Sequence, residues 1–351
     1  MTASGLWAAW CAATIFVAAA LTRWLVSWTA ERGIVDTPNA RSSHTRATPR
    51  GGGLAIVGVV AAVAVVMMLL EPRVWRSVAG VILPALAIAA VSWVDDVRTL
   101  RNRTRFAVHL LAAVAAAAVL GPVTRVDLGS LGQLRFGPAA WPLTLLWIAG
   151  LTNAFNFMDG SDGIAGVTAA AAAAGIAAAA AALGAGSVAM LAASLAGGAI
   201  GFLSLNWPPA RIFMGDVGSA FCGFLIAVLP LALPADCRAE VLPLAALAMW
   251  PFIFDTAFTF VRRLGRGENV FEAHRSHLYQ RLLIGGWSHR GVACLYGGLA
   301  AFGAMVALTP LVDPATRSAA DEVAVATLAA TALLLPGLVI VTEKSRERHV
   351  R

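Results

Sequence analysis

The sequence predicts an all-α polytopic membrane protein, and three observations carry that prediction. Hydrophobic residues make up 59% of the 351 and charged residues only 13%, too little polar surface to cover a soluble core of this length. Apolar runs of about 15–22 residues recur along the chain, the length a helix needs to cross a bilayer. Lys and Arg gather in alternate gaps between those runs, as the loops of one membrane face do.

Eleven spans follow, at 6–28, 52–70, 77–94, 106–120, 139–152, 163–182, 187–205, 219–233, 239–262, 289–308 and 323–341. The fifth is short enough for a tilted or partly buried helix, so the expectation is about 10–11 transmembrane helices in one domain, 1–351. The first run lacks the pattern of a cleaved signal peptide and reads as a permanent span. The Ala-rich stretch from Thr168 to Ala182 suits close helix packing in lipid rather than disorder.

Of the 26 Lys and Arg residues, 19 fall on the side reached after span one, six on the other, and Arg23 lies inside span one. The positive-inside rule then expects the basic side in the cytoplasm and the N-terminus outside, in a bacterial inner membrane. A net charge of +7 would suggest nucleic acid in a soluble domain; here its distribution over loops accounts for it, and no nucleic-acid partner is expected. Cys11, Cys222, Cys237 and Cys294 show no CxxC spacing and read as small apolar side chains.

Five polar clusters interrupt the apolar pattern, all on the basic side. "WVDDVRTLRNRTR" (93–105) sets Asp95 beside Asp96 at the inner end of span three. Adjacent carboxylates repel there, so a metal, an arginine or a raised pKa must relieve them, unless the pair is a solvated helix end facing Arg98 or Arg101. "NAFNFMDGSDG" (153–163) repeats Asn153, Asn156, Asp159 and Asp162 every third position. Each step turns an α-helix by about 300°, so Asn153, Asn156 and Asp159 form one broad polar face at the end of span five. Capping of helix ends would account for one of these residues, not four.

"LNWPPARIFMGDVGS" (205–219) holds Asn206, Phe213 and Asp216, the last between Gly215 and Gly218. A helix N-terminus after a glycine turn favours phosphate, and an acid there makes sense if Mg²⁺ lies between it and the phosphates. Phe213 could stack on a base or pack into the membrane interface. "GENVFEAHRSHLYQRL" (267–282) offers His274, Arg275, His277 and Arg281, cationic donors suited to a polyanion. No second His or Cys cluster supports a transition-metal pair. "TPRGGGL" (48–54) puts Arg50 before three glycines, where it could face phosphate, although alone the segment reads as a turn into the membrane. Asp255, two turns inside span nine, reads as the structural partner of a buried arginine. His109 reads as a packed helix residue, and His44, His289 and His349 as ordinary loop residues.

Together, DD, NxxNxxDGxDG, FMGDxGS and the His-Arg loop resemble the polyprenyl-phosphate N-acetylhexosamine-1-phosphate transferase superfamily, glycosyltransferase family 4. That superfamily takes in phospho-MurNAc-pentapeptide translocases and the initiators of O-antigen and related glycans. The resemblance covers almost the whole chain, in order. It implies transfer of a sugar 1-phosphate from a UDP-N-acetylhexosamine to undecaprenyl or another polyprenyl phosphate, releasing UMP, with Mg²⁺ as cofactor and Mn²⁺ as a substitute. By that resemblance Asp216 is a metal ligand, Asn156 a second contact to the metal, and Phe213 a platform for uracil. Asp95, Asp96 and Asp159 are the catalytic acids, with Asp95 deprotonating or positioning the lipid phosphate. Arg50, Asp162, Asn206, His274, Arg275 and His277 are substrate-binding. The partners implied are the UDP-sugar, polyprenyl phosphate and the bilayer, with a homodimer left open.

Translocases carry a lysine three places after the second Asp of DD; here that place is Thr99. Their triple-histidine loop is absent, and "HRSHLYQRL" resembles the loop of the glycan initiators instead. A peptidoglycan precursor is therefore the alternative substrate, behind GlcNAc or a 6-deoxy N-acetylhexosamine. A two-step reaction through an aspartyl phosphate is a rival mechanism. A transporter is the rival of another class, although transport sites lie near the bilayer midplane and these acids cluster at one surface. A CDP-alcohol phosphotransferase lacks its DGxxAR signature here.

Overall fold

The computed structural model describes residues 3–38, 46–269 and 274–350. Helix occupies each of the eleven expected runs: α1 (Ala3–Glu31), α2 (Gly53–Leu70), α3 (Trp75–Val97), α4 (Asn102–Leu120), α5 (Ala140–Met158), α6 (Ile164–Ala182), α7 (Gly186–Asn206), α8 (Asp216–Val228), α9 (Ala235–Ala248) with α10 (Trp250–Gly265), then α12 (His289–Val312) and α13 (Arg317–Val350). A short helix, α11 (Leu278–Ile284), lies between α10 and α12. Arg41 and His44, and residues 270–273 of the His-Arg loop, lie outside the described residues.

Among the described residues, eight helices are long and apolar enough to cross a membrane. The chain is thus a multi-pass membrane protein. The expected ninth span is two helices that meet at 64°, which together would make a ninth crossing. Met249 separates them and Pro251 lies in the first turn of α10, where it offers no N–H to the carbonyl of Leu247 and its ring crowds that carbonyl, which ends α9. The segment after Asp216 is apolar but shorter than a full span, and the asparagines near the end of α5 lower its hydropathy.

Helix α8 is the axis of the molecule. Every residue from Val217 to Val228 is buried, and α2, α3, α5 and α6 pack around it. Small residues make that approach possible: a Cβ on Gly53 at the start of α2 would fall 2.3 Å from Cα of Gly218 on α8. The Ala-rich α6 packs on α7 and α12 in the same manner, with Gly175 so placed that a Cβ would lie 2.9 Å from Cβ of Ala304. Large apolar side chains such as Phe16, Leu69 and Leu333 point outward, as lipid-facing positions do.

Two short antiparallel pairings depart from the all-helical expectation. Strands β3 (Arg125–Asp127) and β4 (Gln133–Arg135) form a hairpin between α4 and α5. At the opposite end β1 (Val35–Asp36) pairs with β2 (Thr48–Pro49), and the chain then bridges to the loop before α8. The amides of Gly51 and Gly52 donate to the carbonyl of Phe213 at 3.1 and 2.9 Å, and the amide of Phe213 donates to Pro49 at 2.8 Å. The sequence clusters TPRGGG and IFMGD are thereby one hydrogen-bonded unit.

Candidate active site

The ends of α3 and α5 and the starts of α2, α4 and α8 meet at one end of the bundle. Arg50, held by the bridge to Phe213, places Nε 2.9 Å from Oδ1 of Asp96 and Nη2 3.1 Å from Oδ1 of Asp216. Arg105, in the first turn of α4, places Nη1 2.9 Å from Oδ2 of Asp95 and Nη2 2.6 Å from Oδ2 of Asp216. The same Nη2 donates to Oδ1 of Asn156 at 2.9 Å, and Nδ2 of Asn156 donates to the hydroxyl of Ser219 at 2.8 Å. Two guanidiniums thus stitch together three carboxylates drawn from two helices. That answers how the Asp95–Asp96 repulsion is relieved: each acid has its own arginine.

Asp96 has a second task. Its side chain is fully buried, and it accepts from the amides of Asp216 at 2.9 Å and Val217 at 3.0 Å. The N-terminus of α8 is therefore already filled by a carboxylate of α3, which corrects the expectation that this terminus is open to phosphate. Asp96, expected from the sequence as a catalytic acid, thus also acts as a cap that fixes Asp216 and Arg50. Gly215 is required beside it: its φ is +76°, and a Cβ would fall 2.6 Å from Oδ2 of Asp96.

The three-residue pattern of 153–163 sends its members in different directions. Oδ1 of Asn153 accepts from Nδ1 of His109 at 3.2 Å, so His109 is a buried helix residue, as read from the sequence, with a polar partner. Asn156 joins Arg105 and Ser219. Asp159 lies just past the end of α5, facing the acids: among the described residues no hydrogen bond or ion pair reaches its carboxylate. Burial and the charges of Asp216, Asp96 and Asp162 push it well above the usual carboxylate range, against Arg50. Asp162 turns away to accept from the amide of Ala210 at 2.9 Å, while its own amide donates to Nδ1 of His289 at 3.2 Å. His289 also bonds Ser161, so it is part of this turn rather than an ordinary loop residue.

Asn206 is buried, with Oδ1 accepting from the amide of Gly163 at 2.9 Å and Nδ2 donating to the carbonyl of Ile212 at 2.9 Å. Both ends are engaged by backbone, so Asn206, expected from the sequence to touch substrate, is a brace between two loops. His277, expected from the sequence as a phosphate contact, is likewise buried, with Nδ1 3.2 Å from Oδ1 of Asp255, and forms part of the loop's anchor. His274 and Arg275 are partly exposed on the same loop. Asp255 has no exposed surface and accepts from the amides of Leu278 and Tyr279 at 2.8 and 3.0 Å, from Thr259 at 3.2 Å and from the hydroxyl of Tyr296 at 2.7 Å. Its role is structural, but its partners are these donors rather than an arginine; Arg263 pairs with Glu268. The Tyr279 hydroxyl reaches the carbonyl of Phe157 at 3.3 Å, which sets the His-Arg loop beside Asp159 and Gly160.

Arg105 is the member of this cluster that the sequence motifs did not single out. It is one of four arginines in 98–105, and only helix phase separates it from the others: Arg105 and His109, one turn apart on α4, both face α5.

Among the described residues no group of three His, Cys, Asp or Glu side chains stands ready to hold a metal. Both Asp216 oxygens are held by arginine. Even so, the donors around Asp159 fit a hard divalent cation: Asp216, Asp159 and Asn156 supply oxygens, and the unpartnered, mutually repelling Asp159 is the place such a charge would relieve.

Comparison with known proteins adds to this geometry. The family model described as Glycosyl transferase family 4 matches residues 78–233. A Bacillus subtilis protein named probable undecaprenyl-phosphate N-acetylglucosaminyl 1-phosphate transferase is 35% identical over 266 residues, covering 74% of this chain and 72% of its own. The decaprenyl-phosphate N-acetylglucosaminephosphotransferase of Mycobacterium leprae is 31% identical over 300 residues, covering 76% and 75%. A phospho-N-acetylmuramoyl-pentapeptide-transferase of Synechococcus is 33% identical over 283 residues, covering 75% and 80%. Identities this close to one another do not separate the sugars.

Proposed function

The chain belongs to glycosyl transferase family 4, and from that membership and the arginine–carboxylate cluster we propose that it transfers an N-acetylhexosamine 1-phosphate from a UDP-sugar to a polyprenyl phosphate, releasing UMP. The observation that carries this reading is the convergence of Arg50, Arg105, Asp95, Asp159 and Asp216 at one end of a membrane-spanning bundle. Two polyanions have to meet at a bilayer surface, and fixed cations there offset their repulsion.

In the reaction an oxygen of the lipid phosphate attacks the phosphorus that carries the sugar, and the bond from that phosphorus to UMP breaks. Phosphoryl transfer of this kind is mostly positioning and charge stabilisation. Arg50 and Arg105 turn from Asp216 toward phosphate oxygens, and Asp95 keeps Arg105 oriented through its ion pair. Mg²⁺, when bound, would neutralise charge on the pyrophosphate, held by Asp216, Asp159 and Asn156. Phe213, whose backbone is bridged to Arg50, would stack on the uracil while the arginine reaches the phosphates. Arg275 supplies a further cation from the loop anchored on Asp255, and His274, whose Nδ1 accepts from the amide of Ser276, a neutral ring with Nε2–H to donate. The acceptor phosphate is already anionic near neutral pH, so deprotonation by Asp95 adds little.

The excess of Lys and Arg in the loops at this end supports a cytoplasmic active site with the N-terminus outside, in a bacterial inner membrane. The test is UMP release by the purified chain with polyprenyl phosphate, Mg²⁺ and a panel of UDP-sugars including UDP-MurNAc-pentapeptide. Release with a UDP-N-acetylhexosamine, and none with the pentapeptide donor, is the expected result; no release with any donor would refute the proposal.

A further inference from the structure

A groove of about 710 Å³ lies between α1 and the α7–α8 loop, apart from the acid cluster. Its apolar walls include Phe16 and Ala20 of α1, Leu205 of α7 and Trp207, and Arg23 and Arg211 also line it. No acidic residue lines it. Among the described residues neither guanidinium has a hydrogen-bond or ion-pair partner. Phe16 is 75% exposed, so the groove opens on the face that meets lipid.

Two unpaired cations sharing one apolar groove repel each other, and a cation within a membrane span needs an anion or the headgroup region to be tolerated. Helix α1 has 29 residues, more than the roughly 20 that cross a bilayer, so Arg23, near its C-terminal third, sits near the headgroup level. Arg211 lies at that same end of the bundle, just beyond α7, and its amide is tied back to the carbonyl of Leu205 at 2.8 Å. The volume lies in the range of pockets for small ligands, about 300–1,000 Å³.

We propose that this groove is a binding site for one anionic glycerophospholipid, its phosphate held between Arg23 and Arg211 and an acyl chain lying along Phe16 and Ala20. Two positive charges with no negative lining favour a headgroup of net negative charge over a zwitterionic one, whose own cation would face the arginines. A lipid bound there also braces the loop that continues through Ile212, held by Asn206, to Phe213 and Asp216. The inference rests on the chain spanning a bilayer, not on the transfer reaction.

The test is native mass spectrometry of the full chain in detergent, titrated with phosphatidylglycerol or phosphatidylcholine. One phosphatidylglycerol is expected to be retained well above phosphatidylcholine. Arg23→Gln with Arg211→Gln is expected to weaken retention about thirtyfold, some fivefold per guanidinium, while Arg73→Gln with Arg76→Gln at the other end leaves it unchanged. Where the double variant is not monodisperse, the single variants carry the same comparison. Equal retention of the two lipids, unchanged retention in the arginine variants, or stoichiometric displacement of phosphatidylglycerol by polyprenyl phosphate would each overturn the assignment.

Discussion

Nη2 of Arg105 sits 2.6 Å from Oδ2 of Asp216, joining the start of α4 to the start of α8. With Arg50 on the other oxygen, Asp216 has both acceptors committed to arginine. On the proposed metal assignment, a divalent cation and Arg105 compete for the same oxygen.

Arg105→Gln therefore has two opposite effects. The concentration of Mg²⁺ that half-saturates the chain is expected to fall, because Asp216 is released. kcat is expected to fall about 10²–10³-fold, the scale of losing one donor to developing charge. Titrating Mg²⁺ at saturating substrates separates the two, and an unchanged Mg²⁺ midpoint would count against competition.

Asp216→Ala removes the residue on which both arginines converge. UMP release is expected to drop at least about 10³-fold, with the protein still folded because Asp96 continues to cap α8. A radiolabelled-donor assay with circular dichroism on the same sample reads both. Activity close to wild type would remove Asp216 from the metal site.

Asp255→Asn replaces an acceptor for five donors by a side chain with one oxygen. Each buried donor left without a partner costs about 1–3 kcal/mol, so the thermal midpoint is expected to fall. As His274 and Arg275 lose their support, KM for the UDP-sugar is expected to rise about tenfold while kcat changes less. A fall in kcat alone would show that the loop acts elsewhere than in donor binding.

Gly160→Ala is expected to impair activity, since its Cβ would lie 2.1 Å from the Tyr279 hydroxyl. Tyr279→Phe removes that oxygen, at the cost of the bond to Phe157. The double variant is then expected to be more active than Gly160→Ala alone, a non-additivity that a double-mutant cycle measures.

The helices were legible in the sequence because each buries an apolar run, and composition shows that directly. The break at Met249 was also written there, in Pro251, but an uninterrupted hydropathy profile hid it. At the site, the acids and Arg50 were found because such residues stand out against apolar surroundings. Which of them face one another was not legible: Asp96, Asn206 and His277 have the chemistry of substrate contacts, and only tertiary pairing turns them into a cap, a brace and an anchor. Arg105 was obscured for the opposite reason, standing in a run of arginines where the charge count explained it too easily. A helical phase count from His109, which is four residues on and buried, points to it.

The pairing of residues 49–53 with Phe213 and Met214 has a consequence for inheritance. The segment that carries the arginine and the segment that carries the aromatic ring are far apart in the gene but form one mechanical part. Exchanging either for the matching segment of a relative breaks the register between them; exchanging both at once preserves it. Donor preference in chimaeras should therefore travel with the pair and with neither half alone.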